Sequence, residues 1–201
     1  MNDSLQEDRR LLSRCLKGDR QTLELFVRRF SGLIYHSVKH TLTAKGIPFS
    51  GEDLEDIHNT IFLRLFENRC KKLRQYEGKN GCSLASWLRV VAVRFVLNHV
   101  RDSRAQEPAW QNKQAPFDSL SDQDREALGP LAFMEQSERR RLLKGAIQLL
   151  SPRDRLFMRL YFEDGLGLEE VASALNISIQ NAYTVKHRAV QRLRSHLSNE
   201  K

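Results

Sequence analysis

One helix-length stretch near the end of the chain concentrates side chains that can read bases. Gln180, Asn181, Thr184, His187, Arg188 and Gln191 share one face, with Ser178 as the cap before them and Tyr183 at the edge, while Ala182, Val185, Ala189 and Leu193 occupy the other. Amides, hydroxyls and an arginine are the groups that bond to base edges in a major groove. Lys186 leans toward the apolar side, where its ammonium suits a phosphate better than a base. A second set lies further upstream. The loop 69–83 carries Arg69, Lys71, Lys72, Arg74 and Lys79 around Tyr76 and Asn80. Basic groups interleaved with an aromatic ring and amides suit a single strand; the same composition also suits an exposed connection. In the following helix, Trp87, Arg94, Asn98 and Arg101 share one side of an otherwise apolar surface. Either that stripe meets a partner, or Trp87 packs inside and the arginines snorkel to water.

Nothing comparable points to catalysis. His36 and His40 are spaced i, i+4, as metal ligands can be, but no third ligand stands at a suggestive spacing and zinc prefers four. Asp53 and Asp56 lie in the first turns of a helix, where the dipole accounts for them. There is no Gly-rich phosphate loop and no nucleophile elbow. No catalytic residue, no metal and no cofactor is expected. Cys15, Cys70 and Cys82 are odd in number and lack C-x-x-C spacing, which reads as reduced thiols in a cytoplasm.

The elements that must position these residues all read as helices. Apolar residues recur at helical spacing over 4–45, from Leu11, Leu12 and Cys15 through Phe26, Phe30 and Ile34 to Val38 and Leu42, with a break at Gly18-Asp19 and a stop at Gly46-Ile47-Pro48. Over 50–68, Leu54, Ile57, Ile61 and Leu65 form a stripe, so Asp56, Asn59, Thr60 and Arg64 face outward. The stretch 84–101 is apolar almost all round and should be central to its domain. Helical spacing returns over 139–150. Ser151-Pro152 then provides an N-cap and an N1 proline, with Asp154 placed to complete a capping box. Gly165 suits the stop. A short helix over 168–175, a turn at Asn176-Ile177-Ser178 and the base-reading helix make a helix-turn-helix, with Ala172, Ile177, Ala182 and Val185 supplying its internal contacts. The fold class expected is all-α.

The chain has 201 residues and a net charge of +8, with a pI near 9.7, which favours a polyanionic partner. The charge is unevenly spread: between Asp102 and Glu138 eight acids face three bases, three prolines intervene and no period is sustained. That composition reads as a flexible acidic linker. The organisation expected is therefore a domain at 1–103, a linker at 104–136 and a domain at 137–201. No apolar run reaches the roughly 20 residues of a membrane span, and the N-terminus lacks a signal-peptide core.

With these elements in place, the chain resembles the bacterial RNA polymerase sigma factors of the sigma-70 family, in particular the small two-domain extracytoplasmic-function type. Leu12 to Tyr35, with Gly18-Asp19 and Phe26-Val27-Arg28-Arg29-Phe30, is similar to the start of that family's first conserved region. Glu55 to Phe66 resembles its E-D-L-V-Q-E-V-F-L-R-L-W helix. Trp87-Leu88 through His99-Val100-Arg101 resembles its W-L-x-x-I-A-x-N-x-x-x-D-H-x-R helix. Leu150-Ser151-Pro152-Arg153 and the helix-turn-helix resemble its C-terminal domain. The resemblance implies that Asp56, Asn59, Thr60 and Arg64 dock on the clamp coiled coil of the largest subunit of core RNA polymerase. It implies that Lys79, Asn80, Trp87, Arg94, Asn98 and Arg101 melt and hold the promoter −10 element. It implies that Ser178, Gln180, Asn181, Tyr183, Thr184, Lys186, His187, Arg188 and Gln191 meet the −35 element. It also implies a cytoplasmic location, no membrane insertion and an anti-sigma factor as partner. Arg94 stands where the family commonly has Asn, and Asn98 where Asp is common, which bears on the promoter sequence. The alternative is a transcriptional regulator with an N-terminal effector or dimerisation domain. Residues 1–103 argue against it, since they show a basic surface where a ligand-sensing domain needs a pocket.

Overall fold

A computed structural model describes residues 2–106 and 145–199. These residues form helices and tight turns, with no strand among those described. The order is α1 (Asn2–Cys15), α2 (Arg20–Lys45), α3 (Gly51–Cys70), α4 (Leu84–Gln106), a helical stretch at 145–148, α5 (Pro152–Met158), α6 (Leu168–Leu175) and α7 (Ile179–Asn199). The acidic linker expected over 104–136 lies, beyond 106, outside the described residues. So does the start of the helix expected over 139–150.

Local chemistry sets the boundaries. Asp19 accepts from the Gln21 amide and caps α2, and Gly46, at φ 66°, ends it. Ser50 and Asp53 close a reciprocal capping box on α3. The bonds from Ser50, backbone amide first, hold the Asp53 carboxyl below the usual carboxylate range. Asp53 is thus a cap as well as a partner for the helix dipole. At the start of α4, Ser83 Oγ accepts from the Ser86 amide, and the buried Asp8 carboxylate accepts from the Leu84 amide at 3.2 Å and from Arg29 at 3.1 Å. One carboxylate therefore ties α1 and α2 to the end of α4 that follows the basic loop.

The core confirms the helical periodicity. Phe26, Ile34 and Val38 of α2, Ile61 and Leu65 of α3, and Leu84, Leu88, Ala92 and Val96 of α4 are all fully or almost fully buried in one cluster. Each large side chain of this kind contributes roughly 1.5–3 kcal/mol on leaving water. A second cluster gathers Leu156, Phe157, Leu160, Leu166, Val171, Ala182, Val185, Ala189 and Leu193. Ala44 of α2 and Val90 and Val93 of α4 are buried in that same cluster. The reason is that α5 packs on α2 and α6 packs on α4. The expectation of two ends separated along a tether did not anticipate this packing: the apolar surface of α4 exceeds what α2 and α3 cover, and the C-terminal helices cover the remainder.

Candidate nucleic-acid interface

The chain from α3 into α4 follows an unusual path. Glu67 is extended (ψ 158°), and Asn68, Arg69 and Cys70 are all left-handed, at φ 51°, 56° and 59°. A left-handed non-glycine residue costs roughly 1–2 kcal/mol. Asn68 accepts this readily; Arg69 and Cys70 are held there by their surroundings. Cys70 is buried with its Sγ 3.8 Å from the Cys15 carbonyl, and Arg74 donates to the carbonyls of Arg69 and Leu16. Two short 3-10 turns follow, Leu73–Gln75 and Lys79–Gly81. The result is a groove of about 570 Å³ between the end of α3 and α4, into which Arg64, Lys71, Lys72, Trp87, Arg94 and Asn98 all project. Cations, an amide and an indole on one concave surface suit phosphates and unstacked bases.

The expected −10 residues are only partly united there. Trp87, Arg94 and Asn98 line the groove. Lys79 and Asn80 sit beyond it, with Lys79 paired to Glu77, and Arg101 pairs with Asp102 on the exposed end of α4. Tyr76, read from the sequence as the aromatic of a single-strand loop, is buried instead. Its hydroxyl donates to the Cys82 carbonyl at 2.8 Å and its ring lies 5.8 Å from that of Trp87. It supports the indole from behind, because the two 3-10 turns fold the loop back onto the core. Lys71 and Lys72 belong to the groove, whereas loop composition alone had spread the basic charge evenly over 69–83.

Among the outward residues of α3, Asp56, Asn59 and Arg64 are exposed and Thr60 is half-buried. Asp56 and Thr60 border an apolar pocket of about 220 Å³ formed with Leu42, Pro48, Phe49, Ile57 and Phe95. The Arg64 guanidinium lies over the Phe95 ring at 5.7 Å. Leu63, 69 % exposed, sits in the middle of this face. It lies off the stripe of Leu54, Ile57, Ile61 and Leu65, and an apolar residue at an outward position is its one signal in the sequence.

The helix-turn-helix is built as its spacing requires. Ser151 Oγ accepts from the Asp154 amide. The Asp154 carboxylate accepts from Arg192 at 3.2 Å and so joins α5 to α7, where the sequence had placed it in a capping box. Past Met158 the helix widens into a π turn, Arg159–Glu163, and Gly165 (φ 65°) ends it. Gly167 donates to the Glu170 carboxylate at the start of α6. Asn176 is left-handed (φ 53°), and the Ile177 amide reaches back to the Ala172 carbonyl, a Schellman-type close. Ser178 Oγ then caps α7 through the Asn181 amide. Ala182, Val185, Ala189 and Leu193 are buried, and Gln180, Tyr183, Thr184, His187, Arg188 and Gln191 are exposed, with Asn181 half-buried. Lys186 differs from the other residues expected at the −35 element. It is half-buried, donates to the Tyr161 hydroxyl at 2.7 Å and lies 4.2 Å from that ring's centre. Its ammonium is aimed at α5 and its π turn, away from the reading face.

Among the described residues no cluster of three His, Cys, Asp or Glu side chains could hold a metal ion. His40 faces Asp164 at 4.0 Å where α5 meets α2. Burial, aided by Arg159 and His36 nearby, pushes its pKa down to about 4. All three cysteines are free thiols. Burial raises Cys15 to about 11 and Cys82 to about 12, the latter helped by Glu170. Among the described residues no helix is long and apolar enough to cross a membrane.

Comparison with known proteins agrees with this geometry. Residues 146–195 match the family model for sigma-70, region 4. Two solved structures share the fold along most of the chain. CnrH, solved in complex with the cytosolic domain of CnrY, aligns with a TM-score of 0.53 and 18% identity over 96% of this chain and 99% of that one. The sigma factor RpoE from Bartonella quintana, solved with the anti-sigma factor NepR, aligns with a TM-score of 0.56 and 15% identity over 88% and 98%. At these identities the likeness is one of fold. No curated protein sequence matches the chain.

Proposed function

We infer that the chain is a sigma-70-family sigma factor of the extracytoplasmic-function type, which binds core RNA polymerase and directs promoter recognition, melting and transcription initiation. One observation carries this: a match to sigma-70, region 4 at 146–195 is joined to helices that share the fold of CnrH and of the sigma factor RpoE over most of the chain. The division of labour follows the three faces. Residues 1–103 form the domain that docks on the clamp coiled coil of the largest polymerase subunit through Asp56, Asn59, Thr60 and Arg64. The same domain holds the −10 element through Lys79, Asn80, Trp87, Arg94, Asn98 and Arg101. Residues 137–201 read the −35 element in the major groove, and 104–136 link the two.

The chemistry is that of binding, without an enzymatic step, and the site of action is the cytoplasm. Opening a duplex requires that bases leaving the stack find a surface. In the groove Trp87 offers a stacking plane, Asn98 an amide for a base edge, and Lys71 and Lys72 neutralise phosphates. On α7, Gln180, Asn181, Thr184, His187, Arg188 and Gln191 present donors and acceptors to base edges, while buried Ala182 and Val185 fix the helix against α6. An anti-sigma factor is a fitting partner, since both solved relatives were captured in complexes, one of them with a named anti-sigma factor. The test is co-purification with core polymerase followed by transcription in vitro with start-site mapping. Defined starts that depend on the chain support the reading. Tight duplex binding without any association with core would refute it in favour of a regulator.

A further inference from the structure

We propose that His58 is a positioning residue of the docking face on α3: it engages the Asn59 side-chain oxygen, so that Asn59 offers its amide N–H groups to an acceptor on core polymerase. The proposal rests on the sigma reading for what docks on this face. The arrangement starts on α2. Ser31 Oγ lies 3.1 Å from His58 Nε2, and His58 Nδ1 lies 3.3 Å from Asn59 Oδ1. The imidazole is half-buried. Its centre lies 6.1 Å from the Tyr35 ring of α2 and 5.1 Å from the Phe62 ring one turn along α3, edge-to-face with both. Two polar and two ring contacts, drawn from two helices, hold the imidazole in one orientation.

The direction of the chain of bonds follows from the atoms. An amide oxygen only accepts, so Nδ1 of His58 carries the hydrogen. A neutral ring then leaves Nε2 bare, and the Ser31 hydroxyl donates to it. Both ring nitrogens are paired, and the last link engages the Asn59 oxygen. Asn59 is exposed, so it presents two N–H donors to a partner. Its neighbours do not replace them. Thr60 donates its hydroxyl hydrogen to the Asp56 carbonyl at 2.7 Å, and the Asp56 carboxylate only accepts. Arg64 lies over Phe95 and lines the groove. The group that meets Asn59 is therefore an acceptor, a carboxylate or a carbonyl. An amide without this support rotates and must be ordered at the moment of docking; His58 removes that cost in advance.

A double-mutant cycle in the full chain separates positioning from packing. His58→Phe keeps a ring between Tyr35 and Phe62 and removes both nitrogens. Asn59→Ala removes the positioned group, and the milder Ser31→Ala removes only the far bond. Affinity for core polymerase is measured by equilibrium titration for the parent, the single variants and His58→Phe/Asn59→Ala, with Tm alongside. His58→Phe is expected to weaken core binding on the order of fivefold in the parent, the worth of one hydrogen bond, and by less than about twofold in the Asn59→Ala background. Ser31→Ala should fall between the parent and His58→Phe. An equal loss in both backgrounds would overturn the proposal, because His58 would then act through the fold or on the partner directly. Long-range proton–nitrogen NMR correlation of the imidazoles, with His58→Phe identifying the signal, reads the chain of bonds in the free protein. Hydrogen on Nδ1 of the neutral ring is expected, and hydrogen on Nε2 would overturn the proposal. Hydrogen on Nδ1 in a protein whose Asn59→Ala variant binds core as the parent does would leave the bonds standing and refute the docking face. A parent that never associates with core would refute the sigma reading itself.

Discussion

The sharpest separation between neighbouring residues of α7 concerns Lys186 and Arg188. Both are cations near the centre of the recognition helix, and composition alone assigns both to DNA. The structure divides them. Lys186 is half-buried and committed to Tyr161 by a hydrogen bond of 2.7 Å and a cation–π contact of 4.2 Å. Arg188 is exposed on the reading face. Lys186→Ala should therefore cost folding stability, about 1–2 kcal/mol from the charge-assisted bond and the ring contact together. For a small domain that lowers Tm by several degrees. Its duplex affinity, measured on the mapped promoter, should change by less than about twofold, and the slope of log K against log salt should stay the same. Arg188→Ala should do the reverse. Tm should hold, and affinity should fall by about 1–3 kcal/mol if the guanidinium reads a base. If it meets only phosphate, the loss is smaller and the salt slope drops by about 0.9. The assays are thermal unfolding of the free protein and a salt series of duplex binding. A Lys186→Ala protein with unchanged Tm and a salt slope reduced by about one would refute the argument, because its ammonium would then have left Tyr161 for the DNA.

Asn59→Arg/Thr60→Arg should weaken association with core polymerase while helical content and Tm stay near the parent's. Unchanged affinity by equilibrium titration would remove that face of α3 from the interface. Asn176 sits at φ 53°, so Asn176→Gly should be close to neutral, while Asn176→Ala should cost about 1–2 kcal/mol in denaturant unfolding for its left-handed backbone. His40 has a pKa in the folded chain lowered from 6.5 to about 4, chiefly by burial. The unfolded chain takes up this proton first, so the contribution of His40 is intact above about pH 6.5 and is lost as pH falls toward about 4. Unfolding followed over that window should show a stability decline that His40→Asn flattens; equal slopes for the two proteins would show that His40 is not the titrating group.

Most of the local structure was legible because it depends on neighbours in sequence. The N1 proline at Pro152, the left-handed Asn176 and the inward run Ala182, Val185, Ala189 and Leu193 each follow from side-chain chemistry within one or two helical turns. The groove was legible only in part. Trp87, Arg94 and Asn98 share a helix face, so their spacing brought them together. Lys71 and Lys72 reach the groove only through the left-handed turn at Asn68-Arg69-Cys70, and a run ending in Arg-Cys gives no local sign of such a turn. Asp154 departs from its local pattern for the same kind of reason: three residues after a serine cap it suits a box, but Arg192, 38 positions away, captures its carboxylate.

By itself, then, the sequence determined an all-helical chain, a helix-turn-helix with its reading face, and a basic surface suited to nucleic acid, because helix periodicity, capping and charge are local properties. Tertiary structure alone decided which cations take partners within the chain. Lys186 is drawn to Tyr161 and Arg94 to Ser173, partners 25 and 79 positions distant. It also decided that Tyr76 supports Trp87 from the core and that α5 and α6 cover the apolar surface left on α2 and α4. Those outcomes depend on which helices meet, and burial of surface between distant segments leaves no periodic trace in either one.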